Sequence, residues 1–395
     1  MHKVAIVSAA RTPIGNFGGG LMNISAAELG EIAAKEAILR AGIEPGQVDE
    51  SIFGSARQAG IGPNLARQIA WRSKMPIETT GFTVNKACGS GMKAITLGAQ
   101  SIMLGENQVV LAGGVEQMSQ IPYLLPKARW GYRLGDGEII DSNYRDGYNC
   151  PLSDMVMGET VDRLAEEYQI SREMQDEFAA ESNRKAISAW ENGLFKDEVV
   201  PVTVPGRKGT TNLVERDERP RSDSTAEALK KLRPVFRKVE DGGTITAANA
   251  SGITDGAAAL ILMRADIAKA EGIEVLGYLD GFASGGVAPE RMGLGPLPPT
   301  KKLLKQTGLK LDDFGLIEVN EAFAAQVLIV DRELGWDTEK RNVHGGAVAL
   351  GHPTGCTGAR ILVTLLYAMK NRDVELGLAT LCISGGLGMS LAVSR

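Results

Sequence analysis

The feature that most constrains this chain is a weak internal repeat, in which two distant stretches present the same order of strand, helix, glycine stop and strand. In the first, the apolar run from Lys3 to Ser8 precedes an amphipathic helix from Ala26 to Arg40, then Ala41-Gly42-Ile43, an acidic turn and the strand Ser51-Ile52-Phe53-Gly54. In the second, Val275 to Phe282 precedes a helix from Thr300 to Gln306, then Thr307-Gly308-Leu309, the acidic pair Asp312-Asp313 and the strand Leu316 to Val319. Further on, the stretch Thr83 to Gly91, a helix and Val109 to Gly114 are answered by Asn342 to Gly358, a helix and Ala379 to Gly386. Strands alternating with helices predict parallel-type α/β layers, and their duplication predicts two similar domains packed pseudo-symmetrically with sites at the junction.

One segment breaks the pattern. From about Ser119 to Thr246 the chain is richer in charge, carries helical stretches at Val161 to Tyr168 and Ser171 to Glu191, and includes the polar run Arg216 to Arg221. It reads as an insertion, mostly helical and loop-rich, lying over the core. The apolar stretch Ala257 to Met263 then resumes the first domain. The expected division is 1–118 plus 247–272 for the first domain, 119–246 for the insertion and 273–395 for the second.

Composition narrows the classes of function. A chain of 395 residues, 44% apolar and 23% charged, can bury two or three cores. Its net charge of -5 gives no general basic field, so nucleic acid is an unpromising partner. The opening residues run straight into a strand without a charged-then-apolar leader, Leu391 to Arg395 is no peroxisomal address, and no apolar run reaches membrane-spanning length. A cytoplasmic protein with no membrane partner is expected. Cys88, Cys150, Cys356 and Cys382 are scattered without a Cys-x-x-Cys pair, which suits neither a disulfide framework nor a metal site.

Four local signals carry chemistry. Cys88 stands before Gly89-Ser90-Gly91 and an apolar-periodic helix from Met92 to Leu104, where a helix N-terminus favours the thiolate. A small buried hydrophobe is the bland alternative. His352 lies in the glycine-bounded turn Gly351-His352-Pro353-Thr354-Gly355, a place where an imidazole can be oriented and left accessible as base or electrophile, whereas His344 is expected to be a hydrogen-bonded structural residue. Asn320 follows the strand Leu316 to Val319, so its amide either projects from a strand end towards a ligand or caps the next helix. Cys382 precedes Ser384-Gly385-Gly386-Leu387-Gly388, a turn whose exposed NH groups can stabilise an anion.

Together and in this order these segments resemble the thiolase family over nearly the whole chain. The likeness extends to Ala9 to Gly15, Ala112 to Ser119, Asn249-Ala250-Ser251-Gly252 and Asn320-Glu321-Ala322-Phe323-Ala324. The resemblance implies a duplicated five-layered α/β/α/β/α core with an inserted loop domain, and an acyltransferase that cleaves 3-ketoacyl-CoA with coenzyme A or runs the reverse Claisen condensation. It implies that Cys88 is the acylated nucleophile, that His352 takes its proton, and that Cys382 moves the proton of the carbon acid. Asn320 would hold a water against the enolate, and the backbone NH groups of Cys88 and Ser384 would form the oxyanion hole. Ser251 would follow the pantetheine, Met157 and Phe323 would line the thioester pocket, and Arg221 would meet the nucleotide end. As a solvated charge in a loop, Arg221 would do none of this. No resident cofactor or metal is implied, coenzyme A and acyl-CoA being substrates, and the assembly would be a homodimer or homotetramer acting in fatty acid and lipid metabolism.

Two positions depart from the pattern. Val156-Met157-Gly158 stands where many biosynthetic members resemble a His-Met-Gly triplet, and Ser384 stands where the family often has glycine. The rival readings are a condensing relative such as a ketoacyl synthase, which Cys382 and the Gly351-His352-Pro353 turn disfavour, and a non-catalytic acyl-CoA-binding subunit.

Overall fold

Runs of buried residues at strand spacing set the framework of the computed structural model, which describes residues 1–206 and 209–395. The core strands of the first half are β1 (Val4–Arg11), β2 (Glu50–Gly54), β3 (Thr80–Val84), β4 (Val109–Gln117) and β5 (Thr254–Arg264). Those of the second half are β6 (Gly277–Gly286), β7 (Leu316–Val319), β8 (Leu376–Ile383) and β9 (Leu387–Ser394). β1, β4 and β8 are buried almost throughout, as expected of strands covered on both faces.

The repeat is realised in four of the five strands. In the first half the order across the sheet is β3-β2-β4-β5-β1, with the β3–β2 and β2–β4 pairs parallel and the other two antiparallel. In the second half the order β7-β8-β9-β6 repeats the same sequence of parallel and antiparallel pairs. The counterpart of β3 is reduced there to one parallel bridge between Ile317 and Arg341. The two halves join where β1 meets β6 antiparallel, Ala5 opposite Tyr278 and Ile6 opposite Gly277.

Helices complete five layers. α1 (Ala26–Ala41) and α2 (Leu65–Arg72) cover the outer face of the first half. α3 (Ser90–Leu104) and, later in the chain, α8 (Thr354–Arg372) lie back to back between the halves. Every residue of α8 from Thr354 to Met369 is buried, which fits a helix surrounded by protein. α6 (Leu297–Thr307) and α7 (Ala324–Leu334) cover the outer face of the second half.

The charged segment between β4 and β5 supplies α4 (Met157–Glu167), α5 (Arg172–Glu191) and a short hairpin pairing Val202–Pro205 with Thr211–Val214. It is fastened to the end of β1 by Arg11, whose buried guanidinium holds Glu198 at 2.6 Å and Asp217 at 2.7 and 2.9 Å. Among the described residues no helix is long and apolar enough to cross a membrane.

Candidate active site

Cys88 sits at the tip of a turn between β3 and α3. Ala87 takes a left-handed conformation (φ 44), held by Asn85, whose side chain accepts from the Ala87 NH at 2.9 Å and donates to Ala56 O at 3.0 Å. Ser90 ties off the turn by accepting from Lys86 NH at 2.8 Å and donating to Ala87 O at 2.7 Å. The backbone NH groups of Ser384 and of Cys88 itself act on the sulfur and favour its charged form. Burial pushes the thiol pKa up, against the opposing pull of the Arg57 charge and those NH groups. This corrects the expectation of a resting thiolate: desolvation outweighs the helix N-terminus, and the nucleophile waits protonated.

His352 is brought beside it by glycine-to-glycine contact of the two central helices. A Cβ on Gly91 would come within 2.8 Å of Ala359 N, and one on Gly358 within 2.5 Å of Met92 N. The first turns of α3 and α8 therefore meet almost backbone to backbone, with the residues just before each helix converging on one place. The His352 Nδ1–Thr357 Oγ1 distance is 2.6 Å, and that hydroxyl donates to Pro353 O at 3.0 Å. With its only hydrogen spent on Pro353, Thr357 must accept from Nδ1–H, which leaves Nε2 unprotonated as an acceptor, facing Asn320 Nδ2 at 3.5 Å. Burial, reinforced by the Arg57 and Arg360 charges, lowers the imidazole pKa to about 3, so the ring is a neutral base.

Asn320 lies just past β7, its NH bonded to Thr380 O at 3.0 Å and its Nδ2 3.5 Å from His352 Nε2. The helix that follows begins at Ala324 with Phe323 as its cap, so the capping alternative for Asn320 is overturned. Its Oδ1 is buried without a hydrogen-bond partner among the described residues. Cys382, in β8, is also buried, and burial together with the nearby Cys88 drives its thiol pKa strongly up. Beyond it the chain turns through Gly385 (φ 81) and Gly386 (φ 78), and these two glycines take the left-handed positions. Ser384 does not need such a conformation, which explains why a side chain is tolerated there.

Cys88, His352, Cys382 and Ser384 share the wall of one cavity of about 380 Å³ with Met157, Ser251 and Phe323. The peptide that carries Ser251 is stitched to the second half, Ser251 NH bonding Ala322 O at 3.0 Å and Ala324 NH bonding Asn249 O at 2.9 Å. Arg221 lies elsewhere: it lines an adjoining cavity and is paired with Asp223 at 2.8 Å on the surface.

Comparison with known proteins fits this geometry. Residues 4–266 match the thiolase N-terminal domain and residues 273–395 the thiolase C-terminal domain. The chain belongs to the thiolase family. It is 54% identical over 396 residues to an acetyl-CoA acetyltransferase of Escherichia coli, with the whole of both chains covered. The crystal structure of the Bacillus anthracis acetyl-CoA acetyltransferase is 46% identical, with a TM-score of 0.97 over 100% of this chain and 99% of that one. Human mitochondrial 3-ketoacyl-CoA thiolase is 39% identical, with a TM-score of 0.95 at the same coverage.

Several residues of this thiolase's site were missed in the sequence. Glu116, at the end of β4, accepts from Thr354 Oγ1 at 2.7 Å, Gly355 NH at 2.8 Å and the NH groups of Ala56 and Arg57 at 3.1 Å, pinning the turn after His352 to the first half. Arg57 lies over the Tyr148 ring at 4.8 Å with its Nε and Nη2 unpartnered among the described residues. A carboxylate directly after the apolar run Val109 to Val115, in the same strand, was the available signal for Glu116; Arg57 had none. Thr357 yields a prediction. In Thr357→Val the imidazole loses the partner that fixes its tautomer, and turnover should fall about 10- to 100-fold, with Thr357→Ser recovering most of it. Steady-state thiolysis kinetics check this, and an unchanged valine variant would refute the tautomer assignment.

His344 is structural but not hydrogen-bonded. It is buried edge-on to Phe195 at 5.7 Å, neither ring nitrogen has a partner among the described residues, and burial lowers its pKa to about 4. The unfolded chain takes up a proton at His344 below about pH 6.5, whereas the folded chain does not until about pH 4. This histidine's cost to stability is thus absent above pH 6.5 and grows as pH falls. His344→Phe should therefore gain on the wild type between pH 7 and pH 4, read as the difference in urea midpoints; a gap independent of pH would contradict the assignment.

Proposed function

We propose that this chain catalyses CoA-dependent cleavage of 3-ketoacyl-CoA, and the reverse Claisen condensation of acetyl-CoA with acyl-CoA, through an acyl-Cys88 thioester. The observation that carries the reading is that two thiols from separate halves, Cys88 and Cys382, face one cavity beside a neutral imidazole with an unprotonated Nε2.

In this reading the Cys88 proton passes to His352 Nε2 as the sulfur attacks the ketone carbon. The new oxyanion takes the NH groups of Cys88 and Ser384, which in the free protein act on the sulfur. The carbon–carbon bond then breaks, leaving acyl-Cys88 and an enolate of acetyl-CoA. The protonated His352 donates to the enolate oxygen with a water held by Asn320, whose Oδ1 is free to accept it. Cys382, kept as a thiol by burial, gives its proton to the enolate carbon. The incoming CoA thiol then loses its proton to the Cys382 thiolate and attacks the thioester, and departing Cys88 recovers its proton from His352.

The names of the relatives support acetyl-CoA and coenzyme A as substrates. Met157 and Phe323 would line the thioester pocket, Ser251 the pantetheine groove, and Arg221 would reach the nucleotide. The same reading puts the enzyme in the cytoplasm, in fatty acid and lipid metabolism, without nucleic-acid or membrane partners. It favours a homodimer or homotetramer, which the open edge of β3 and the exposed Phe82 support. A thiolysis panel of 3-ketoacyl-CoA esters of increasing length, with CoA as acceptor, tests the proposal. Cleavage of at least one ester with transient acylation of Cys88 is expected, and no cleavage of any ester would overturn it.

A further inference from the structure

Among the described residues Arg219 is a cation without an anion. It lines both the catalytic cavity and the adjoining one that holds Arg221, so its guanidinium stands at the neck between them. Nε donates to Val348 O at 3.3 Å, and Nη2 to Ala247 O at 3.1 Å and Ala250 O at 3.5 Å. These are neutral carbonyls; among the described residues no carboxylate pairs with it, and Arg221, the other charge felt there, is also positive. Arg221 itself is neutralised by a two-pronged bond to Asp223, at 3.0 and 2.8 Å. Arg219 packs against Gly252, where a Cβ would fall 2.6 Å from its Cζ and Nη1, so the site makes room for this side chain. A partly buried guanidinium with no counter-charge is costly to maintain, and the three carbonyls hold it in one orientation with Nη1 uncommitted.

Building on the function proposed above, we infer that Arg219 is a substrate-positioning residue that binds the phosphate-bearing end of coenzyme A where it leaves the catalytic cavity. The neck must pass the arm of the thioester, and the anionic groups on that arm are its phosphates. A preoriented cation there selects esters of coenzyme A over esters of the same acyl group without phosphates.

The experiment compares acetoacetyl-CoA with acetoacetyl-pantetheine, which keeps both amides and lacks every phosphate. The wild type should prefer the CoA ester in kcat/KM, and Arg219→Gln should shrink that preference about tenfold or more, chiefly through KM for the CoA ester. Arg219→Lys should retain part of it. Should Arg219→Gln fail to fold, Gly252→Ala, which displaces the guanidinium, is expected to shrink the same ratio. An equal loss on both esters, or a ratio unchanged from the wild type, overturns this role while leaving the thiolase reading intact. A wild type that cleaves neither ester overturns the thiolase reading itself.

Discussion

Cys88→Ser is expected to lower thiolysis of acetoacetyl-CoA by roughly 10⁴-fold or more and to abolish the acylated protein. The NH groups of Ser384 and residue 88 would remain, and His352 Nε2 would still be unprotonated, so the oxyanion hole and base survive. What disappears is a nucleophile whose proton a weak base can take. His352, with its pKa lowered to about 3, can accept the proton of a thiol only as bond formation proceeds, and a far less acidic alcohol lies beyond it. Rapid quench of protein mixed with acetoacetyl-CoA, followed by peptide mass spectrometry, reads the intermediate directly. An acyl group found on another residue, or full turnover by the serine variant, would remove Cys88 from its role.

Cys382→Ala should separate the two halves of the reaction. Acetyl transfer between acetyl-CoA and Cys88 requires no carbon acid, and with His352 carrying the proton between Cys88 and the CoA thiol in place of Cys382, CoA exchange through the acyl-enzyme is expected to persist within about tenfold. Condensation and solvent-deuterium exchange at the acetyl methyl group should each fall by roughly 10³-fold or more, because no other group with a movable proton is assigned to that side of the cavity. The methyl group of alanine also leaves space where the sulfur was, and water entering it can restore only a small part of the proton transfer. Were methyl-group exchange to continue at the wild-type rate while acylation failed, the roles of the two thiols would be reversed.

Much of this site was legible in the sequence because its parts lie at element ends, where glycine and proline punctuate the chain. Gly89 and Gly91 flagged the turn at Cys88, Gly351 and Pro353 the turn at His352, and Gly385-Gly386 the turn after Cys382. The duplicated topology was readable too, since each half keeps its strand, helix and stop in order. Electrostatics was not. The helix N-terminus at Cys88 argued for a thiolate, but burial, which no local pattern reports, decided for the thiol. Glu116 and Arg219 act through contacts with residues far away in the chain, so their parts emerge only when the chain is packed. Arg221 stands out by its charge in a polar run, yet it is Arg219, two residues earlier, that has no carboxylate partner among the described residues.

The position of β5 bears on how the protein is made. It lies between β1 and β4, pairing Val4 with Arg264 on one side and Val109 with Met263 on the other, although the whole insertion separates it from both in the chain. A nascent chain that has left the ribosome only as far as the insertion therefore carries two apolar strands flanking an empty lane, each with an unpaired edge. Until β5 arrives the first half cannot close, and β6 has no finished neighbour on which to dock. Chaperone dependence and misassembly during synthesis should concentrate in that interval, when the growing chain is long, sticky and still missing its central strand.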